Sequence, residues 1–118
     1  MVERFYVEFT LGEEDDELAI VRVILFEDRW KFRSGSIALK TKNAKRLKKI
    51  LEKYAANFVD LGGFGTHSVY VTFDEKVSAA LKVLLDAIDH EDRDLLWSVL
   101  SAILEEDWEQ AVAYRLLL

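Results

Sequence analysis

Residues 17–27, ELAIVRVILFE, decide the fold of this chain. The segment is rich in β-branched residues and apolar on both of its alternating sides, which is typical of a strand inside a sheet. One side suits packing under helices and holds Ala19, Val21, Val23 and Leu25. The other side surrounds Arg22 with Leu18, Ile20, Ile24 and Phe26. An open apolar sheet face with a cation in it is therefore expected.

Strands are predicted on both sides of this segment. Residues 2–11 alternate between apolar and polar side chains, and residues 12–16 form a polar turn. A third strand is expected from about Arg29 to Lys40, after a short turn at Glu27 and Asp28. Gly35 between two serines predicts a bulge in that strand. Three strands joined by short turns form an antiparallel meander.

Helical periodicity follows the meander. It predicts a helix over residues 42–61 that ends at Gly62 and Gly63, then a strand over 66–73 and a helix over 75–89. A third helix begins near Asp92 and reaches the C-terminus, with a break expected near residues 105–107. The order βββαβαα predicts an α+β fold, an antiparallel sheet covered by helices. Residues 1–118 form one domain, with the sheet and a basic helix in 1–74 and the C-terminal helices in 75–118.

Composition narrows the class of protein. The 118 residues are 51% hydrophobic and include no cysteine, which excludes disulfides and thiolate chemistry. No signal region or apolar run of membrane-spanning length is present, so a cytoplasmic location without a membrane partner is expected. Side-chain amides are scarce and 32% of residues are charged, a mixture typical of proteins from hot environments.

Positive charge is concentrated in one predicted helix, although the whole chain has a net charge of −6. Five cations fall on one helix face, Lys42, Lys45, Arg46, Lys49 and Lys53. Ordinary solvated faces mix signs, because like charges at i,i+4 repel. The pattern favours a surface that meets an anion, either a phosphate backbone or an acidic protein, over an ordinary solvated face.

Aromatic and basic residues alternate in the segment RWKFR, residues 29–33. On a strand, Trp30 and Phe32 would share one face and the three cations the other. This suits single-stranded nucleic acid, because bases stack on rings while cations hold phosphates. The alternative is that both rings belong to the core.

One family resemblance supports this interpretation. A strand ending Ser36-Ile37-Ala38-Leu39-Lys40 and followed by a lysine-rich helix resembles the Gly-Ile-Ser-Leu strand and helix of the positive-cofactor-type single-stranded DNA-binding proteins. Over about residues 17–62, the α+β layout and thermophilic composition resemble the ThermoDBP group of archaeal single-stranded DNA-binding proteins. The resemblance implies a homodimer or higher oligomer that binds single strands across an aromatic and apolar groove with basic edges.

The C-terminal helix is apolar on most sides over residues 95–104, and the chain ends in three leucines. Burial inside one protomer is one explanation, and burial between subunits is the one we favour for a small domain. The predicted interface comprises Trp97, Leu100, Leu104, Trp108, Leu116 and Leu117.

Nothing in the sequence indicates an enzyme. His67 and His90 lack metal-ligand spacing, and residues 62–66 follow a helix rather than a strand, unlike a phosphate loop. We predict a cofactor-free protein that binds single-stranded nucleic acid, DNA before RNA. The alternative is a protein-interaction module, such as an inhibitor from a mobile element, that docks an acidic partner. The predicted nucleic-acid contacts are Arg22, Arg29, Trp30, Lys31, Phe32, Arg33, Lys40, Lys42, Lys45, Arg46, Lys49 and Lys53.

Overall fold

A computed structural model describes the backbone of residues 3–60 and 66–118, and the side chains of 3–56 and 74–118. Within these residues, five strands form one antiparallel sheet: β1 (Arg4–Thr10), β2 (Leu18–Phe26), β3 (Phe32–Lys40), β4 (Ala55–Asp60) and β5 (Thr66–Phe73). Their spatial order is β3-β2-β1-β5-β4, which places β3 and β4 at the two edges. The α+β class and the antiparallel sheet are confirmed.

Helices cover one side of the sheet. They are α1 (Thr41–Tyr54), α2 (Glu75–Asp89), α3 (Arg93–Leu104) and α4 (Trp108–Ala113), followed by a 3₁₀ turn at Tyr114–Leu117. Three of the helices begin at an aspartate whose carboxylate accepts a hydrogen bond from a backbone amide of the first turn: Asp74, Asp92 and Asp107. No helix among the residues described here has the length and apolarity needed to cross a bilayer.

The core lies between the sheet and these helices. Ala19, Val21, Val23 and Leu25 of β2 are buried, as the alternation in the sequence predicts. β1 contributes its own inward row, Phe5, Val7 and Phe9, which is fully buried. The opposite residues of both strands are exposed or half-buried, so no described helix covers the outward side of β1 and β2.

The predicted end of the basic helix is wrong. Helical spacing continues to Phe58, yet α1 ends at Tyr54, and Ala55 takes an extended conformation with φ −76° and ψ 131°. The backbone then runs as β4 and pairs with β5. Residues such as Asn57 and Val59 have modest helix propensity, so pairing with β5, the next strand along the chain, outweighs the local periodicity. The predicted helix end at Gly62 and Gly63 lies outside the described residues.

Gly35 does not form the predicted bulge. The register of β2 against β3 is continuous from Leu18–Lys40 to Phe26–Phe32. A Cβ atom at residue 35 would lie 3.0 Å from Ile88 Cδ1 and 3.1 Å from Ile88 Cγ2. The absence of a side chain at Gly35 therefore allows α2 to pack closely against β3.

The C-terminal helical segment is broken where the sequence indicates. Glu106, with φ 59°, separates α3 from α4. α3 packs against α1, α2 and α4 rather than mainly against the sheet, so several of its sides are covered. Leu100, Leu104 and Trp108 are consequently buried in the protomer core, and their prediction as interface residues is corrected.

Candidate nucleic-acid interface

The uncovered side of β1, β2 and β3 forms a continuous surface, here called the open face. Its members are the outward positions of the three strands: Arg4, Tyr6, Glu8 and Thr10; Leu18, Ile20, Arg22, Ile24 and Phe26; Phe32, Ser34, Ser36, Ala38 and Lys40. Leu18 and Ile20 are exposed large apolar side chains. The side of β2 that surrounds Arg22 with apolar residues therefore lies on an open face, as the sequence predicts.

One end of the open face is aromatic and cationic. The strand register places Arg4 opposite Phe26, and Phe26 opposite Phe32. Phe32 is 61% exposed, and Trp30, in the adjoining loop, is 87% exposed. Both rings lie outside the core, which excludes the alternative that they are core residues.

The loop that carries Trp30 is held by Asp28. Asp28 Oδ1 accepts hydrogen bonds from the backbone amides of Trp30, at 2.7 Å, and Lys31, at 3.1 Å. The Glu27 amide donates to the Lys31 carbonyl at 2.9 Å and closes the hairpin. Because β3 begins only at Phe32, Arg29, Trp30 and Lys31 are loop residues, and the predicted strand alternation over them is wrong. All three are exposed beside the aromatic end of the open face.

Arg33 belongs to the helix-covered side. Its guanidinium lies 2.6 Å from Asp86 and 3.1 Å from Asp89, both on α2. The hydrogen bond to Asp86 is the main cause of its raised pKa. These two carboxylates engage the Arg33 side chain within the protomer, so Arg33 does not join the cations of the open face.

Electrostatically, the open face differs from the chain as a whole. The described outward positions of β1–β3 include three cations, Arg4, Arg22 and Lys40, and one carboxylate, Glu8. Glu8 accepts a hydrogen bond from the Tyr6 hydroxyl at 3.5 Å. In a chain of net charge −6, this surface is locally positive and apolar, a combination suited to phosphates and bases.

The basic face of α1, defined by Lys42, Lys45, Arg46, Lys49 and Lys53, is partly neutralised. Lys45 lies 3.2 Å from Asp15, and Lys53 lies 2.8 Å from Glu106. Lys42, Arg46 and Lys49 form no ion pair within the described part of the chain, although the charge of Arg46 contributes, after Lys53 and Tyr54, to the lowered pKa of Glu106. These three cations are the ones available to an external anion.

Lys53 and Glu106 join α1 to the break before α4. The hydrogen bond that Lys53 donates to Glu106 is the main cause of the lowered pKa of Glu106, and a hydrogen bond from Tyr54 is the next cause. The same Lys53–Glu106 hydrogen bond raises the pKa of Lys53. Because the pKa of Glu106 is lower in the folded protein than in the unfolded chain, this contact stabilises the fold at pH values above the pKa of the unfolded chain. The contribution is lost as the pH falls through the folded pKa.

The structure does not bring the basic face and the open face together. Ala44, Leu47 and Leu51 face the core, and the basic residues occupy the opposite side of the helix. The basic face therefore points away from the sheet and does not border the aromatic end of the open face. Among these cations, only Lys40 lies on the open face beside the start of the helix, because it is both the last residue of β3 and the N-cap residue of α1.

Arg4 is the open-face cation that the predicted contacts omit. Its signal is present in the sequence, because the alternation of β1 places Arg4 on the same side as Tyr6. What the sequence does not show is the register that sets Arg4 beside Phe26. Comparison with known proteins finds no matching protein-family model, curated protein or solved structure, so a functional proposal rests on this geometry.

Proposed function

We propose that this protein binds single-stranded nucleic acid on the open face. The observation that carries the proposal is the exposure of Phe32 and Trp30 at one end of a helix-free sheet face that also presents Arg4, Arg22 and Lys40. Exposed rings offer stacking surfaces that every base can use. The cations supply phosphate contacts that do not depend on sequence.

The layout of the open face supports a nucleic-acid strand that lies across β2 and β3. Phe32 and Lys40 mark the two ends of β3, about 27 Å apart at the usual rise per residue. Arg22 lies between them on the neighbouring strand, opposite Ser36. Bases stacked at the Phe32 end would leave the phosphates near Arg22 and Lys40.

Unpaired bases suit this surface better than a duplex. A ring can stack on a base only when the base face is accessible, and in a duplex the neighbouring pairs cover it. DNA is placed before RNA only because the sequence resemblance of residues 17–62 implies it, and the titration below compares the two.

A binding titration tests the proposal. Labelled oligo-dT, oligo-U and a duplex of equal length are titrated with the protein at two salt concentrations, and fluorescence anisotropy is recorded. We expect the single strands to bind more tightly than the duplex, with a log–log salt slope of about −0.7 per phosphate neutralised. Equal affinity for duplex and single strand would refute stacking on the open face, and absence of binding would refute the proposal.

A second candidate function concerns the basic face of α1. Like charges adjoin at i,i+4 in the pairs Lys42–Arg46 and Lys45–Lys49, and three of its cations are free of ion pairs within the described residues. This favours an acidic protein docking on the side of the molecule opposite the open face. Polyglutamate serves as the probe, and the variant K42E/R46E/K49E should lose its binding while keeping affinity for oligo-dT.

A further inference from the structure

β3 is an edge strand that lacks the usual protection against pairing. It has one strand neighbour, β2, and within the described residues its backbone makes no hydrogen bonds beyond that ladder. Its nine residues, FRSGSIALK, contain no proline, and the register shows no bulge. Charges stand only near its ends, at Arg33 and Lys40. Proteins that remain monomeric generally blunt such an edge with proline, bulges or central charges.

An apolar groove follows this edge. It has a volume of about 670 Å³ and lies between the second half of β3 and α3. Ile37 and Leu39 line it from the strand, and Leu96, Trp97 and the cationic Arg93 line it from the helix. Trp97 is 53% exposed here, so an added strand would bury a large ring as well as pair its backbone.

We propose that a second copy of this chain occupies the groove, with the two β3 strands paired antiparallel about a twofold axis at Ser36. Ser36 is the midpoint of Phe32–Lys40, so this is the register in which all nine residues of each strand overlap. The pairing joins the two sheets into one, with both open faces on the same side. It goes beyond the proposed function and does not depend on it.

The chemistry of β3 is self-complementary in that register. Phe32 lies opposite Lys40 of the second copy, which permits a cation–π contact at both ends of the interface. Small residues meet at the centre, where Ser36 faces Ser36 and Ser34 faces Ala38. Within the strand pair no like charges are directly opposed, because Arg33 faces Leu39. Each aromatic end of the open face thereby gains a lysine from the other copy.

Cysteine cross-linking tests the register, because the chain contains no cysteine that could interfere. In the variant S36C the two Cα atoms would lie about 4.5–5.5 Å apart, within disulfide range. In the matched variant S34C they would be about 14 Å apart, because Ser34 faces Ala38. Under mild oxidation without nucleic acid, we expect S36C to form the covalent dimer at least about tenfold faster than S34C. Equal rates, or no cross-linked S36C, would overturn the proposed register.

A charge swap tests the interface independently. Light scattering of the unmodified chain should give twice the 13.7 kDa monomer mass. S36K and S36E each place like charges across the axis, so each should weaken the dimer at least about fivefold, with circular dichroism confirming the fold. An equimolar mixture should restore the dimer. A monomer mass for the unmodified chain at high concentration would refute the proposal, as would S36K and S36E proteins that dimerise undiminished.

Discussion

Two phenylalanines of this chain, Phe9 and Phe32, share one chemistry and have opposite environments. Phe9 occupies an inward position of β1 and is fully buried, whereas Phe32 occupies an outward position of β3 and is largely exposed. The difference follows from the period-2 alternation of strands. An exposed aromatic ring gains little from folding, so its value to the protein lies in what binds to it.

Replacing each phenylalanine by alanine separates binding from stability. F32A should weaken oligo-dT binding by about 1–3 kcal/mol and leave the free energy of unfolding almost unchanged, because a stacking surface is removed without a cavity. F9A is the matched control and should cost about 3–5 kcal/mol of folding free energy. Anisotropy titration and chemical denaturation measure the two effects. A strongly destabilised F32A protein would contradict the placement of this ring on the open face.

The contact between β3 and α2 gives a second prediction for a single residue. G35A should destabilise the fold by about 1 kcal/mol, because the new methyl group overlaps with Ile88. The cost should fall when Ile88 is also replaced by alanine, since both crowded atoms are then removed. Chemical denaturation of G35A, I88A and G35A/I88A measures this coupling. Additive effects would show that the two residues do not press on each other.

Among the elements, the inner strands were predictable and the end of α1 was not. β2 shows its two faces in its own alternation, so local sequence is sufficient. α1 and β4 adjoin without a turn, and Phe58 continues the helical spacing. The choice between helix and strand there depends on antiparallel pairing with β5, the next strand, and the helical spacing of α1 does not show where that pairing begins. The predicted strand over Arg29–Lys31 fails for a similar reason, because the Asp28 side chain closes the turn later than the alternation indicates.

The two cationic elements can be distinguished by salt dependence. R22Q/K40Q removes two charges from the open face and should make the log–log salt slope for oligo-dT about 1.4 units shallower. K42Q/K49Q removes two charges from the basic face of α1, which points away from the sheet, and should leave the slope nearly unchanged. Titrations at four salt concentrations compare the variants. A slope that changes only in K42Q/K49Q would assign the phosphate contacts to α1.

At the scale of the whole molecule, contacts within one protomer explain why α3 is apolar on most of its sides. The sequence suggests that a small domain has too little interior for such a helix, but the four helices cover one another beside the sheet. Of the predicted interface, Trp97, Leu116 and Leu117 are exposed, and Trp97 borders the groove along β3. The oligomer therefore stays a prediction, with its proposed contact moved from the C-terminus to the sheet edge.

A double substitution at the C-terminus decides between the two interfaces. L116E/L117E should leave both the fold and the dimer mass unchanged, because these side chains are 86% and 71% exposed and are not among the residues that line the groove. Light scattering reports the mass, and circular dichroism reports the fold. A folded protein of monomer mass would restore the C-terminal leucines as the interface.

The position of β1 governs the order in which the sheet is completed during synthesis. Of the five described strands it is the first to be synthesised, yet it lies at the centre of the sheet with β2 on one side and β5 on the other. Its pairing with β2 can form while the chain is short, whereas its other edge waits until β2, β3, α1 and β4 have all been made. The newly synthesised meander of β1, β2 and β3 therefore has two unpaired edges, β1 and β3. The edge of β1 later pairs with β5, whereas the edge of β3 stays unpaired within the protomer.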